Sequence, residues 1–303
     1  MPACLLTHKQ FDMPTKTITI GKDSPSSFTL HRIGYGTMRL TGPHIWGEPA
    51  NRNEALQILR KAVDAGINYI DTADYYGPGV TNRLIREALH PYPSGLVIGT
   101  KVGAIRGADK SWNPFSQPEQ LRQSIDNNLK ELKQEQITLV HFRVMDNATT
   151  PVEESLQAMF DMQREGKILH VGVSNVTREQ LQTAMQMGAV ASVQNLYSYA
   201  QRTTVPGPLG GQGGEQVLDI CEEHHIAFIP YFSLQTSLGK AQEKIGQTAT
   251  KYGVSPAQLN LAWLLHKSPC ILPIPGTTSL KHLEENLAAG DIPLSDEDLD
   301  FLG

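Results

Sequence analysis

From residue 33 onward a short apolar run followed by an amphipathic stretch recurs about eight times, with no linker-like segment between the units. The runs read as strands at 33–36, 67–70, 96–100, 137–141, 168–173, 191–194, 226–231 and 271–274. Apolar residues at helical spacing follow them, beginning with Ala55, Ile58, Leu59, Ala62 and Val63, and predict helices over 53–65, 80–89, 118–132, 152–165, 178–187, 215–224, 241–252 with 256–266, and 280–289. The strands are continuous rather than alternating, as expected of parallel strands covered on both faces. Eight such units within 303 residues suit a closed (β/α)8 TIM barrel of about 250 residues plus additions, rather than an open doubly wound sheet. Alternation at 17–20 and 28–31 adds an N-terminal β-hairpin. Extra C-terminal helices include an acidic one over 296–302, with Ser295 as its N-cap. Residues 17–303 are therefore expected to form a single barrel domain behind a loosely ordered extension, 1–16.

Composition excludes several classes. A net charge of −5 is opposite in sign to a nucleic-acid footprint. Three distant cysteines without a paired spacing give neither a disulfide framework nor a zinc knuckle, and suit a reducing compartment. No stretch approaches the roughly 18 apolar residues of a membrane span, and the N-terminus lacks a secretory pattern. The expectation is a cytoplasmic protein without membrane, nucleic-acid or metal partners, monomeric or weakly self-associating, and acting on a small molecule.

A barrel of this type works at the C-terminal ends of its strands, and the polar residues there converge. The second unit ends in Asp71-Thr72-Ala73-Asp74-Tyr75-Tyr76, the third in Thr100-Lys101 and the fourth in His141. A lysine directly after an apolar strand calls for a carboxylate, and Asp71 is the neighbour. A protonated lysine beside a phenol lowers the phenol's pKa, which makes Tyr76 a candidate proton donor, with His141 orienting a carbonyl oxygen. Singly, Asp71 also reads as a cap, Lys101 as a barrel-mouth ion pair and His141 as a satisfied interior histidine. Gly77-Pro78-Gly79 is the turn expected to aim Tyr76, with Asp74 and Tyr75 supporting. Gly34-Tyr35-Gly36 lacks the third glycine of a dinucleotide fingerprint, Arg39 standing there, and the glycine-rich 207–214 lacks the lysine of a phosphate loop.

Taken together, the segment from Gly66 to Gly77, Thr100-Lys101, Leu139-Val140-His141, Gly172-Val173-Ser174-Asn175 and Ile274-Pro275-Gly276-Thr277-Thr278 with Glu284-Glu285-Asn286 resemble the aldo-keto reductases from residue 32 onward. The resemblance implies NADPH-dependent reduction of a small aldehyde or ketone, with Asp71, Tyr76, Lys101 and His141 as the catalytic four. It implies a cofactor track of Gly36, Thr37, Met38 and Asp71; Ser174, Asn175 and Gln194 at the carboxamide; and Tyr231 stacked on the nicotinamide, followed by Phe232, Ser233 and Leu234. Gly276, Thr277, Thr278, Ser279, His282, Glu285 and Asn286 complete it at the adenosine end. Gly276 and His282 stand where many members carry lysine and arginine, so NADH also stays open. His141 is followed by Phe142-Arg143-Val144-Met145-Asp146 in place of the commoner Trp-Pro, and the C-terminus is short. Tyr76-Gly77-Pro78 with Val80-Thr81-Asn82, Arg143-Val144-Met145 and Leu84-Ile85-Arg86-Glu87-Ala88-Leu89 resemble bacterial members that include pyridoxal reductases. Two other readings use the same residues: a Schiff-base aldolase with Lys101 as nucleophile, and a non-catalytic NADP-binding regulatory subunit.

Overall fold

Proline decides how the barrel closes. In the computed structural model, which describes residues 14–22, 24–205, 211–235 and 239–303 (the side chains of Gly239 and Lys240 aside), seven parallel strands form a curled sheet. Before it stands the antiparallel hairpin of β1 (Thr17–Ile20) and β2 (Phe28–His31). The sheet runs β3 (Tyr35–Gly36), β4 (Tyr69–Asp71), β5 (Val97–Arg106), β7 (Ile137–Arg143), β8 (Ile168–Ser174), β9 (Val190–Gln194) and β10 (Ala227–Phe228), while β6 (Trp112–Phe115) pairs back on β5. The gap between β10 and β3 is bridged by residues 270–275. Phe228 N donates to Cys270 O and Leu272 N to Phe228 O, both at 2.8 Å, and Gly34 N donates to Pro273 O at 2.9 Å. Pro273 and Pro275 have no N–H to return. The segment expected as the eighth strand therefore occupies the strand's place without making a regular ladder.

The helices lie outside the sheet: α1 (Arg52–Asp64), α2 (Val80–Leu89), α3 (Pro118–Leu132), α4 (Val152–Arg164), α5 (Arg178–Met187), α6 (Glu215–Glu223), α7 (Gly239–Tyr252), α8 (Pro256–Lys267), α9 (Leu280–Ala288) and α10 (Asp296–Leu302). Their starts follow the expected chemistry. Asn51, Thr177, Ser255, Ser279 and Ser295 each accept a backbone N–H at the start of the helix that follows. Within the barrel, Tyr69, Leu139, Ile229 and Leu272 pack with Ile18, Ile20 and Leu30 of the hairpin. The Ile-in, Thr-out alternation of β1 is thus what seals the end of the barrel opposite the C-terminal strand ends. The expected extension falls mostly outside the described residues, as do 207–210 of the glycine-rich stretch.

The hairpin of β5 and β6 has no counterpart in the sequence expectations. β5 runs to Arg106 rather than stopping at Thr100, and Gly103 through Arg106 pair with Trp112–Phe115. Arg106 fixes this extension. Its guanidinium lies 4.3 Å from the Trp112 ring and 5.5 Å from that of Trp46, and it donates to the carbonyls of His44 and Ile45.

Candidate active site

A cavity of about 360 Å³ opens at the C-terminal ends of the strands, and β4 and β5 supply its charges. Lys101 Nζ lies 2.6 Å from Asp71 Oδ2 and 2.8 Å from the carbonyl oxygen of Thr72, with both side chains only 3 % exposed. Asp71 Oδ1 accepts from Gln194 Nε2 at 2.9 Å. Both carboxylate oxygens are thereby bonded, as a buried ion pair requires if it is not to be a net cost. Thr37 donates through its N–H and its hydroxyl to the carbonyl of Asp71, at 3.0 and 2.9 Å. Behind the strand ends, Thr72 and Thr100 bond to Asn82 of α2 and Asn128 of α3, which bond to each other at 3.0 Å. This buried chain ties the two acid–base strands to their helices.

Tyr76 is delivered by the turn expected to aim it. Gly77 and Gly79 both have left-handed φ, at 75° and 70°, and a Cβ on Gly77 would stand 2.6 Å from Val80 Cβ. The Tyr76 ring packs edge-on against Tyr75 at 5.3 Å and lies 5.0 Å from Lys101 Nζ. Burial, then the Asp71 charge, push the Tyr76 hydroxyl well above its usual pKa, with Arg143 opposing. This corrects the expectation of a phenol made more acidic by Lys101. Lys101 is engaged with Asp71, and the ligand-free phenol is neutral with its proton in place.

The second correction concerns β7. His141 is fully buried, its Nε2 2.8 Å from Ser192 Oγ, and it does not line the cavity. Glycine at 172 makes this contact possible: a Cβ there would stand 2.6 Å from His141 Cδ2 and 2.7 Å from Ser192 Oγ. Burial, then Lys101, lower the His141 pKa to about 3, so the ring is neutral. The side chain of β7 that reaches the cavity is Arg143, two residues on and hence on the same face of the strand. Its guanidinium carbon lies 5.5 Å from the Tyr231 ring centroid.

Of the expected cofactor track, Gly36, Met38, Asp71, Gln194, Tyr231, Phe232, Ser233, Leu234 and Gly276 line the cavity with Tyr76 and Lys101. Thr37, Ser174, Asn175, Thr277, Thr278, Ser279, His282, Glu285 and Asn286 do not. Asn175 is taken up by protein groups: Nδ2 donates to Val144 O at 2.6 Å, and Oδ1 accepts from Gln212 N at 2.7 Å. Thr277 Oγ1 accepts from Ser279 N, Thr278 and His282 are exposed, and Glu285 pairs with Lys281 at 3.6 Å. Ser174 Oγ and Asn286 Nδ2 are buried without a hydrogen-bond partner. Tyr75, expected in a supporting or substrate-facing position, lines the cavity too, as do Arg39, Trp112 and Gln235, which were not assigned to the site from sequence. Among the described residues, no group of three or more His, Cys, Asp or Glu is placed to hold a metal ion, and no helix is long and apolar enough to cross a membrane.

Asp74, on the same turn, is only partly exposed, with its Oδ1 buried and without a hydrogen-bond partner, and this desolvation raises its carboxyl to about 7. An acid whose pKa is raised on folding holds stability at low pH and loses it as pH rises, here between about pH 4 and about 7. Asp74→Asn mimics the protonated form. It is expected to raise Tm by several degrees more at pH 8 than at pH 4.5; equal shifts at the two pH values would show that Asp74 does not titrate in that window.

An α/β barrel with a cavity that holds charged and phenolic side chains at its strand C-termini is the arrangement in which barrel enzymes place their sites. The chain belongs to the aldo/keto reductase family, whose profile matches residues 32–302, and is thus an oxidoreductase. It is 39 % identical over 295 residues, 96 % of this chain and 98 % of the relative, to pyridoxine 4-dehydrogenase of Escherichia coli (strain K12). Among solved structures, a thermostable aldo-keto reductase in complex with the inhibitor epalrestat matches with a TM-score of 0.76 and 28 % identity, over 90 % of this chain and 94 % of that one. An aldo/keto reductase from Klebsiella pneumoniae, in complex with NADP and acetate, matches with a TM-score of 0.74 and 27 % identity, over 95 % and 94 %.

Proposed function

We propose that this protein reduces a small aldehyde or ketone to the alcohol using NADPH, with Tyr76 as proton donor. The observation that carries the reading is the buried Lys101–Asp71 pair, closed at 2.6 Å beneath a neutral phenol in a cavity at the strand ends. Bound NADPH supplies the hydride. Tyr76 holds the proton that the carbonyl oxygen needs as negative charge develops on it. Lys101 neutralises Asp71, which would otherwise act on Tyr76 unopposed and make it a poorer acid. Gln194 keeps Asp71 in place. Lys101 Nζ is taken up by a carboxylate and a carbonyl, whereas a Schiff-base aldolase needs a free amine at that position.

The residues present fit the cofactor. Ser174 Oγ and Asn286 Nδ2, both buried without partners, sit at opposite ends of the track that the family resemblance implies. Each is a polar group that a bound carboxamide or adenine would satisfy. Gln194 is already bonded to Asp71 and Asn175 to Gln212, which leaves Ser174 as the open carboxamide contact. Arg39 lines the cavity beside Gly276 and supplies a cation near the adenosine end, where the usual lysine and arginine are replaced by Gly276 and His282.

For the substrate, pyridoxal is the candidate, supported by the relative that bears the name pyridoxine 4-dehydrogenase and by the aromatic wall of Tyr75 and Trp112, edge to face at 5.6 Å. Nicotinamide oxidation followed at 340 nm, with NADPH and NADH against a panel of aldehydes that includes pyridoxal, tests the proposal. Turnover with NADPH is expected. Tight NADPH binding without turnover of any aldehyde would favour a regulatory subunit.

A further inference from the structure

Two cations line the cavity without a carboxylate partner in the described structure: Arg39, exposed at the rim, and Arg143 inside. Lys101 is paired, but Arg143 makes no ion pair among the described residues. Its neighbours are phenols: Tyr231 lies under the guanidinium at 5.5 Å, and Tyr75 and Tyr76 are coupled to it electrostatically. The hydroxyl of Tyr75 is buried with no partner. A guanidinium does not deprotonate, and all three phenols are held neutral by burial. The pocket therefore carries a largely desolvated positive charge that makes no ion pair among the described residues, an arrangement that favours an anion arriving with the ligand.

Arg143 and Tyr76 line the same cavity, and the Arg143 charge acts on the Tyr76 hydroxyl, so an anionic group that meets Arg143 belongs near a carbonyl protonated by Tyr76. The flanking wall, Tyr75 against Trp112, suits a flat ring. We propose that Arg143 is a specificity residue that selects aromatic carbonyl substrates carrying an ionised oxygen, phenolate or carboxylate, on the ring atom adjacent to the one bearing the carbonyl. The planar fork of Arg143 reaches that oxygen and holds the ring so that the carbonyl oxygen is presented to Tyr76. This rests on Tyr76 being the proton donor, and it deepens the reductase reading by naming a substrate class.

The test uses the full chain and its Arg143→Met and Arg143→Lys variants, with NADPH and three aldehydes: 2-formylbenzoate, 4-formylbenzoate and benzaldehyde. The parent should favour 2-formylbenzoate over 4-formylbenzoate by at least about tenfold in kcat/KM. In Arg143→Met both rates fall, but the rate for 2-formylbenzoate falls at least about tenfold further, so that the preference collapses, while Arg143→Lys keeps part of it. Benzaldehyde turnover without an ortho preference in the parent, or an equal fall for both formylbenzoates, overturns the selection role and leaves the reductase reading standing. A binding arm is independent of turnover. Benzoate and benzamide are titrated by protein fluorescence, with Trp112 in the cavity wall as reporter. Benzoate affinity should drop at least about tenfold in Arg143→Met, with benzamide changed far less; equal changes overturn the proposal even where no aldehyde is reduced.

Discussion

Tyr76→Phe should lower aldehyde reduction by about 10²–10⁴-fold while NADPH binds with the parent's affinity. The substitution removes one hydroxyl and keeps the ring. The edge-to-face contact with Tyr75 and the position of the ring beside Lys101 both survive, so the turn between Gly77 and Gly79 has no reason to move. What is lost is the proton. Because burial holds the phenol neutral, the parent carries that proton across the physiological range. The loss should therefore appear in kcat at every pH tested and not only at one edge of a profile. Single-turnover rates together with cofactor binding, followed by quenching of protein fluorescence, make the check. A variant within tenfold of the parent in kcat would mean that the proton comes from elsewhere.

The same site shows what a sequence can and cannot carry. Asp71, Lys101 and Tyr76 were legible because each directly follows an apolar run and the barrel rule says where such positions point. The pairing of Asp71 with Lys101 follows from the cost of burying a lysine alone. His141 was read as the residue of this strand's mouth because the apolar run of β7 ends there in sequence. The strand in fact continues through Phe142 to Arg143, and its two-residue period sends His141 and Arg143 to the same face, one above the other. The histidine is the lower of the two: its Nε2 meets Ser192 across the space that Gly172 leaves open, while its Nδ1 is buried without a hydrogen-bond partner. The signal was present: Val140 and Phe142 pack outward with the helix-facing core, whereas Leu139 packs within the barrel, as the alternation of one longer strand predicts. The β6 hairpin offered less. Residues 107–111, Gly-Ala-Asp-Lys-Ser, read as a loop, and the strand Trp112–Phe115 contains Pro114, a residue that argues against a strand unless it lies at an edge. There the tertiary stacking of Arg106 on Trp112 and Trp46 decides the structure, and no local pattern announces it.

Lys101→Met should damage both stability and chemistry, and a second substitution should separate the two. Removing the ammonium leaves Asp71 about 3 % exposed with only Gln194 to bond its carboxylate, and leaves the Thr72 carbonyl without its donor. Breaking one side of a buried pair typically costs about 3–5 kcal/mol, so Tm should fall sharply. Reduction should fall by about 10²–10³-fold beyond any loss of folded protein, the scale of a preorganised charge near a developing oxyanion. Asp71→Asn combined with Lys101→Met removes both charges at once and should restore much of the stability, since exchanging a buried pair for neutral groups is often close to neutral. It should restore little of the activity, because the cation that balances the site is still missing. Thermal unfolding and kcat/KM on the parent, the two single variants and the double variant complete the cycle. If activity returned together with stability in the double variant, Lys101 would be a structural partner of Asp71 and nothing more; if only stability returned, its charge acts on the reaction.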